Sequence, residues 1–130
     1  MIVLDASAAI EWLLQTPDGR RIEQRIFADG ELLCAPHLLD LEVAQVLRRL
    51  ARDAVISVRR ADEAIDDFLA SRITRYPHFI LVPRIWQLRH NLSAYDASYV
   101  ALAEKLGANL VTRDARLASA SGLTAKIELF

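Results

Sequence analysis

The chain has 130 residues, 53% of them hydrophobic, and a formal net charge of −1 at pH 7. That length suits one domain, 1–130, with a core of its own, and leaves no room for two ordinary ones. The near-zero charge excludes nucleic-acid binding by bulk basicity, and a single cysteine, Cys34, excludes an internal disulfide.

No apolar run approaches the roughly 18 residues that span a bilayer. The opening Met1–Asp5 lacks the basic stretch of a secretory leader. A soluble, cytoplasmic protein without membrane contact is expected. Only Lys105 and Lys126 of the 16 basic residues are lysines. Arginine's planar fork suits phosphate and carboxylate, although a GC-rich genome would produce the same bias.

Ile2-Val3-Leu4 is a short apolar run ending in Asp5 and predicts a buried strand. Ser7 to Leu14 reads as a helix, Pro17-Asp18-Gly19 as a turn, and Arg20 to Ala28 as a second helix. Leu32 to Ala35 predicts a second strand, stopped by Pro36. In Leu38 to Asp53, the residues Leu39, Val43, Val46, Leu47 and Leu50 form one apolar stripe, with Arg48, Arg49 and Arg52 on the other side. Val58 to Arg72 continues as helix, with Ala61, Ile65, Phe68 and Leu69 on its core face. Ile73 to Phe79 holds a third strand and Pro83 to His90 a short helix. Ser93 opens a helix that runs to Leu106 and stops at Gly107. Asn109 to Thr112 is a strand, Asp114 to Ser119 a helical turn, and Ala125 to Phe130 a closing strand. Strands alternating with helices predict a three-layer α/β/α sandwich around a mainly parallel sheet.

Ligands of such sheets bind beyond the carboxyl ends of the strands. Asp5 and Asp114 fall there, and either could equally be a helix N-cap. Asp96 lies in the first turn of the Ser93 helix, where Ser93-Ala94-Tyr95-Asp96 matches a capping box. That helix is apolar nearly all round, so a carboxylate within it needs a strong partner. Which end of the sheet its first turn meets is open at this point. Glu42 and Asp40 lie about 80° to either side of the Leu39–Leu50 stripe, and helical geometry does not choose between them. Convergent carboxylates about 4 Å apart would repel by roughly 4 kcal/mol at an effective dielectric of 20, which calls for protons or a cation. An all-oxygen site suits a hard ion, Mg²⁺ or Mn²⁺. His37, His78 and His90 show no zinc-type spacing.

With Ile2-Val3-Leu4-Asp5-Ala6-Ser7, Leu41-Glu42-Val43, Leu92-Ser93-Ala94-Tyr95-Asp96-Ala97 and Leu110-Val111-Thr112-Arg113-Asp114 in this order and spacing, the chain resembles the PIN-domain nucleases, specifically the VapC-type toxins of toxin–antitoxin pairs. The resemblance covers essentially the whole chain. It implies a metal-dependent endoribonuclease with four acids in one cleft: Asp5, Glu42, Asp96 and Asp114. Glu42 is thereby preferred over Asp40. Ser7 and Thr112 match supporting polar positions near the metal. Mg²⁺, with Mn²⁺ as the alternative, a homodimer, an RNA substrate and a neutralising antitoxin are also implied.

An acidic cleft needs basic residues to draw in a phosphate backbone. Arg84, Arg89, His90, Arg113 and Arg116 lie in neighbouring segments, with Arg89, Arg113 and Arg116 as the RNA-binding candidates. Trp12 is expected in the core, while Leu41, on the far side of its helix, suggests a partner surface. Two other acidic α/β domains fit less well. A signalling receiver would want paired acids after the first strand and an aspartate after a middle one, and a haloacid-type phosphatase would want an aspartate where Ser7 stands. An inert RNA- or protein-binding relative is a third reading, against which the intact acids argue.

Overall fold

The computed structural model describes all residues from Met1 to Phe130. β1 (Ile2–Leu4) leads into α1 (Ala6–Leu13) and α2 (Pro17–Phe27). β2 (Leu33–Pro36) leads into α3 (Leu38–Arg52) and α4 (Val58–Ala70). β3 (Ile73–Tyr76) is followed by a 3-10 turn (His78–Leu81), α5 (Val82–Gln87) and α6 (Ala94–Leu106). β4 (Asn109–Thr112), α7 (Ala115–Ser119) and β5 (Ile127–Leu129) complete the chain.

The sheet has the order β3-β2-β1-β4-β5, and every neighbouring pair is parallel, with Val3 opposite Cys34 on one side and Leu110 on the other. The expected mainly parallel sheet is thus wholly parallel. The chain moves outward from β1 to β3, then returns to the other side of β1 for β4 and β5. Right-handed crossovers therefore send α1–α4 to one face and α5–α6 to the other. The packing agrees: α1 meets α2, α3 and α4, whereas α6 meets α5 and the inner strands. Ile2, Val3 and Leu4 point alternately to the two faces, and all three are fully buried. Burial of successive residues requires cover on both faces, which completes the three-layer sandwich. These strands and the inward stripes of the helices merge into one hydrophobic cluster of 32 residues.

The structure corrects several boundaries. Pro17, Asp18 and Gly19 are not a separate turn but the first turn of α2. Thr16 is the N-cap and accepts the Gly19 N–H at 3.0 Å, and proline occupies a first-turn position where its missing N–H does no harm. Gly19 is required there because an added Cβ would lie 1.8 Å from the Glu11 carbonyl oxygen, so α1 and α2 cross backbone to backbone. The third strand stops at Tyr76, before Pro77, and His78–Leu81 tightens into the 3-10 turn. Gly107 adopts φ 61° at the C-cap of α6, as its position after Leu106 predicts.

Candidate metal and nucleic-acid cleft

The order of the sheet reverses between β1 and β4, and open α/β sheets bind ligands at such a switch point. A cleft of about 520 Å³ lies there, lined by Asp5, Glu42, Asp96 and Asp114 among others. Each acid arrives by a different route. Asp5 is the first residue after β1, and Asp114 is two residues past β4. Glu42 is in the second turn of α3, which starts two residues after β2. Asp96 lies in the first turn of α6. A crossover helix runs back against its strands, so α6 begins at their carboxyl ends, which answers the question left open by the sequence.

Asp5 is the most constrained of the four, at 5% exposure. Its Oδ1 accepts the Ala8 N–H at 2.9 Å and the Ser7 hydroxyl at 2.7 Å, and its Oδ2 accepts the Thr112 hydroxyl. Ser7 and Thr112 in turn accept the backbone N–H groups of Arg113 and Asp114, each at 2.9 Å. Asp5 is therefore the N-cap of α1 and a wall of the cleft at once. Burial pushes its carboxyl above the usual range. The Thr112, Ala8 and Ser7 hydrogen bonds oppose this, and the nearby Asp96 charge adds to it.

Glu42 is half-buried, and its Oε1 accepts the Tyr99 hydroxyl at 2.6 Å. Burial raises its carboxyl as well, against the Tyr99 hydrogen bond and helped by the charges of Asp96 and Asp5. Asp40 faces away and pairs with Arg75 at 3.0 Å, so the structure separates the two acids that helical geometry could not. Asp96 departs from the expectation of a buried carboxylate. It is half-exposed, and only its backbone N–H enters the capping box, donating to Ser93 Oγ at 3.1 Å. Its carboxylate makes no hydrogen bond or ion pair within the chain.

Asp114 caps α7 by accepting the Arg116 N–H at 2.9 Å, and the Arg116 guanidinium grips both its oxygens at 3.1 and 2.8 Å. Those hydrogen bonds hold its carboxyl below the usual range. Arg116 is thus committed to Asp114. Arg113 lines the cleft, but pairs with Glu11 at 3.0 Å and Asp18 at 2.9 Å and ties α1 to α2. Arg89 is outside the cleft, with its guanidinium 4.7 Å above the Trp86 ring. Arg84 is a structural pin, bound to Glu104 at 2.6 Å and to the Gly122 carbonyl at 2.8 Å. Trp12 is buried as expected, its indole N–H donating to Glu23 at 3.2 Å.

The sequence reading missed Tyr99, Arg49 and Glu11 as lining residues. The signal was available: Tyr99 is three residues from Asp96 and Arg49 seven from Glu42, so each shares a helical face with an acid. Relative to the core stripe, Arg49 falls on the far side of α3. The cleft face is the flank between stripe and solvent.

The donor set of the cleft is all oxygen, which suits a hard divalent cation. Asp5, Glu42 and Asp96 act on one another electrostatically, and a cation would relieve that repulsion. No three of these side chains stand within chelating reach of a single point.

Residues 2–123 match the PIN domain family. A VapC ribonuclease of Mycobacterium bovis is 47% identical over 117 residues, covering 90% of this chain and 88% of the relative. Ribonuclease VapC12 of Mycobacterium tuberculosis is 41% identical across 99% of this chain and 98% of its own. The chain belongs to the VapC ribonucleases of the PIN-domain family. Solved structures of that fold superpose along its whole length. Mycobacterium tuberculosis VapC20, described as a sarcin-ricin loop cleaving toxin, gives a TM-score of 0.67 at 20% identity over 95% of this chain and 97% of that one. Rickettsia felis VapBC2, bound to a DNA fragment from its promoter, gives 0.69 at 15% identity over 99% and 98%.

Proposed function

We infer that this VapC-family chain is an endoribonuclease toxin, acting as one nuclease domain over 1–130, dependent on Mg²⁺ or Mn²⁺ and neutralised by a cognate antitoxin. The observation that carries the reading is the meeting of Asp5, Glu42, Asp96 and Asp114 in one cleft at the switch point of the sheet. The VapC relatives are named ribonucleases, and the Rickettsia neighbour is a VapBC pair. No helix is long and apolar enough to cross a membrane, in keeping with action on RNA in the cytoplasm.

Asp5, Glu42 and Asp96 are the residues to hold the ion, and Asp114 a second ion or the attacking water, once Arg116 releases it. The chemistry that a divalent ion supplies when bound is acidification of water and neutralisation of charge on the phosphate. The protein's share is to present oxygen donors at one cleft. Thr112 and Ser7 orient Asp5, and Tyr99 holds Glu42. Phe79 and Trp86, 86% and 67% exposed in the 3-10 turn and α5, are large apolar side chains of the kind a homodimer would cover.

The test is cleavage of total RNA with Mg²⁺ or Mn²⁺ against EDTA. Asp5→Asn and Asp96→Asn should abolish metal-dependent cleavage while the circular dichroism spectrum stays native. Full activity in either variant would sink the site assignment.

A further inference from the structure

The acidic cleft does not end at the four carboxylates. Glu42, Val46 and Arg49 also line a second groove of about 400 Å³, floored by α3 and closed by the start of α6. Arg49 stands at the join. Of the two cations lining the cleft, Arg113 is neutralised by Glu11 and Asp18. Arg49 is exposed and makes no ion pair or side-chain hydrogen bond, so its fork is free for a phosphate. Beyond it the groove carries Leu41 and Tyr95, 72% and 65% exposed, and Gln45. Tyr95 immediately precedes Asp96 in the first turn of α6, so its ring lines the groove next along the helix from the acid that lacks a partner. An exposed aromatic ring, an unpaired arginine and an amide in one groove are the parts of a single-stranded nucleic-acid subsite: a platform for a base, a cation for the backbone and a donor–acceptor for a base edge.

We propose that the Arg49–Tyr95 groove binds the nucleotide flanking the scissile phosphate of a single-stranded RNA, with Arg49 on the phosphate and the Tyr95 ring stacked on the base. The proposal rests on the ribonuclease reading and extends it from the acids to the substrate. Continuity with the cleft favours RNA over a protein occupant: a strand lying across the carboxylates must leave the cleft, and the one free lining cation marks this exit. Leu41 and Tyr95 would equally suit a protein surface, which makes that outcome part of the test.

The experiment measures binding of a short fluorescein-labelled single-stranded RNA of mixed sequence by anisotropy, with the full chain in EDTA, and steady-state cleavage of the same RNA with Mg²⁺. Arg49→Ala should weaken binding about tenfold or more. It should also lower the slope of log affinity against log salt by about 0.7, one phosphate contact on a single strand. Tyr95→Ala should weaken binding about tenfold at an unchanged salt slope, and Tyr95→Phe should restore it, since the ring suffices. In cleavage both alanine variants should raise KM more than they lower kcat. Arg48→Ala, exposed on the same helix outside the cleft, is the control and should leave binding as it was. If wild type binds and cleaves RNA while the Arg49 and Tyr95 variants match it, the subsite is wrong and the nuclease reading stands. If those variants keep RNA affinity but change the sedimenting species, the groove is a protein interface and the proposal is overturned. If wild type neither binds nor cleaves RNA, the ribonuclease reading falls and the subsite with it.

Discussion

Thr112→Val tests the hydrogen-bond network that fixes Asp5. Thr112 has no exposed surface. Its hydroxyl donates to Asp5 and accepts the Asp114 N–H at 2.9 Å, so one atom links the ends of β1 and β4. Valine keeps the volume and branching but removes the oxygen. Loss of a hydrogen bond to a carboxylate costs about 1.5–3 kcal/mol, and an N–H left without its acceptor about 1 kcal/mol more. Removing a buried hydroxyl returns about 1–2 kcal/mol. The net loss is about 2 kcal/mol, or roughly 6–8 °C in Tm for a chain of this size. Urea unfolding should show a lower midpoint at an unchanged slope. Cleavage should fall as well, because Asp5 loses the donor that holds Oδ2 and lowers its pKa. Thr112→Ser retains the hydroxyl and should keep cleavage while losing only a methyl group, about 1 kcal/mol. A valine variant within about 0.5 kcal/mol of wild type and equally active would refute this account of Asp5.

Tyr99→Phe removes the donor to Glu42, and calorimetric titration with Mn²⁺ should show roughly tenfold weaker binding, as expected for a group that orients a ligand; equal affinity would mean that Tyr99 only packs. Burial holds Asp5 above its ordinary 3.8, so the folded protein keeps a proton that the unfolded chain has released. In EDTA that contribution to stability is fullest below the ordinary value and is lost as pH rises through the raised one. Glu31, Glu104, Asp114 and Glu128, held down by Arg25, Arg84, Arg116 and Arg25 respectively, drive the opposite trend at lower pH in wild type and variant alike. The difference in Tm between Asp5→Asn and wild type therefore cancels those four groups and reports Asp5 together with its charge on Glu42, which raises that carboxyl too; the advantage of the variant should grow with pH, and a constant difference would contradict the burial argument. Gly19→Ala would drive a methyl into the Glu11 carbonyl oxygen and should cost more than about 4 kcal/mol, read as a collapse of Tm. A native melting curve would show that α1 and α2 can part at little cost.

Most of the frame was legible because it depends on patterns that survive in one dimension. Continuous apolar runs such as Ile2–Leu4 and strand–helix alternation lead directly to the parallel sheet. Where reading stopped, the deciding contact lay between distant segments. Pro17-Asp18-Gly19 has turn composition, and only the approach of Glu11 explains a glycine inside the first turn of a helix. Glu42 and Asp40 are equivalent on an isolated α3. They differ only once Tyr99 lies on one flank and Arg75 on the other. Arg113 lies nearest to an acid in sequence, yet Glu11 and Asp18 claim it, while Arg49, two helical turns past Glu42, is left free.

The choice between capping role and site role, which the sequence left open for Asp5, Asp96 and Asp114, dissolves in the structure. In a parallel sheet, the carboxyl ends of strands are also where helices start. A carboxylate near a helix N-terminus is stabilised by unpaired N–H groups and by the helix dipole, typically by 0.3–1 kcal/mol, up to about 2 kcal/mol when partly buried. Asp5 at α1 and Asp96 at α6 both have this support, which offsets part of the repulsion that gathering acids creates. The division of labour then follows from who does the capping. Asp5 caps its own helix and is rigid. At α6 the capping falls to Ser93, which leaves the Asp96 carboxylate without a partner in the chain. Asp114 is held by Arg116. A fixed acid, a free acid and a latched acid thus meet at one cleft, each held differently by the element that carries it.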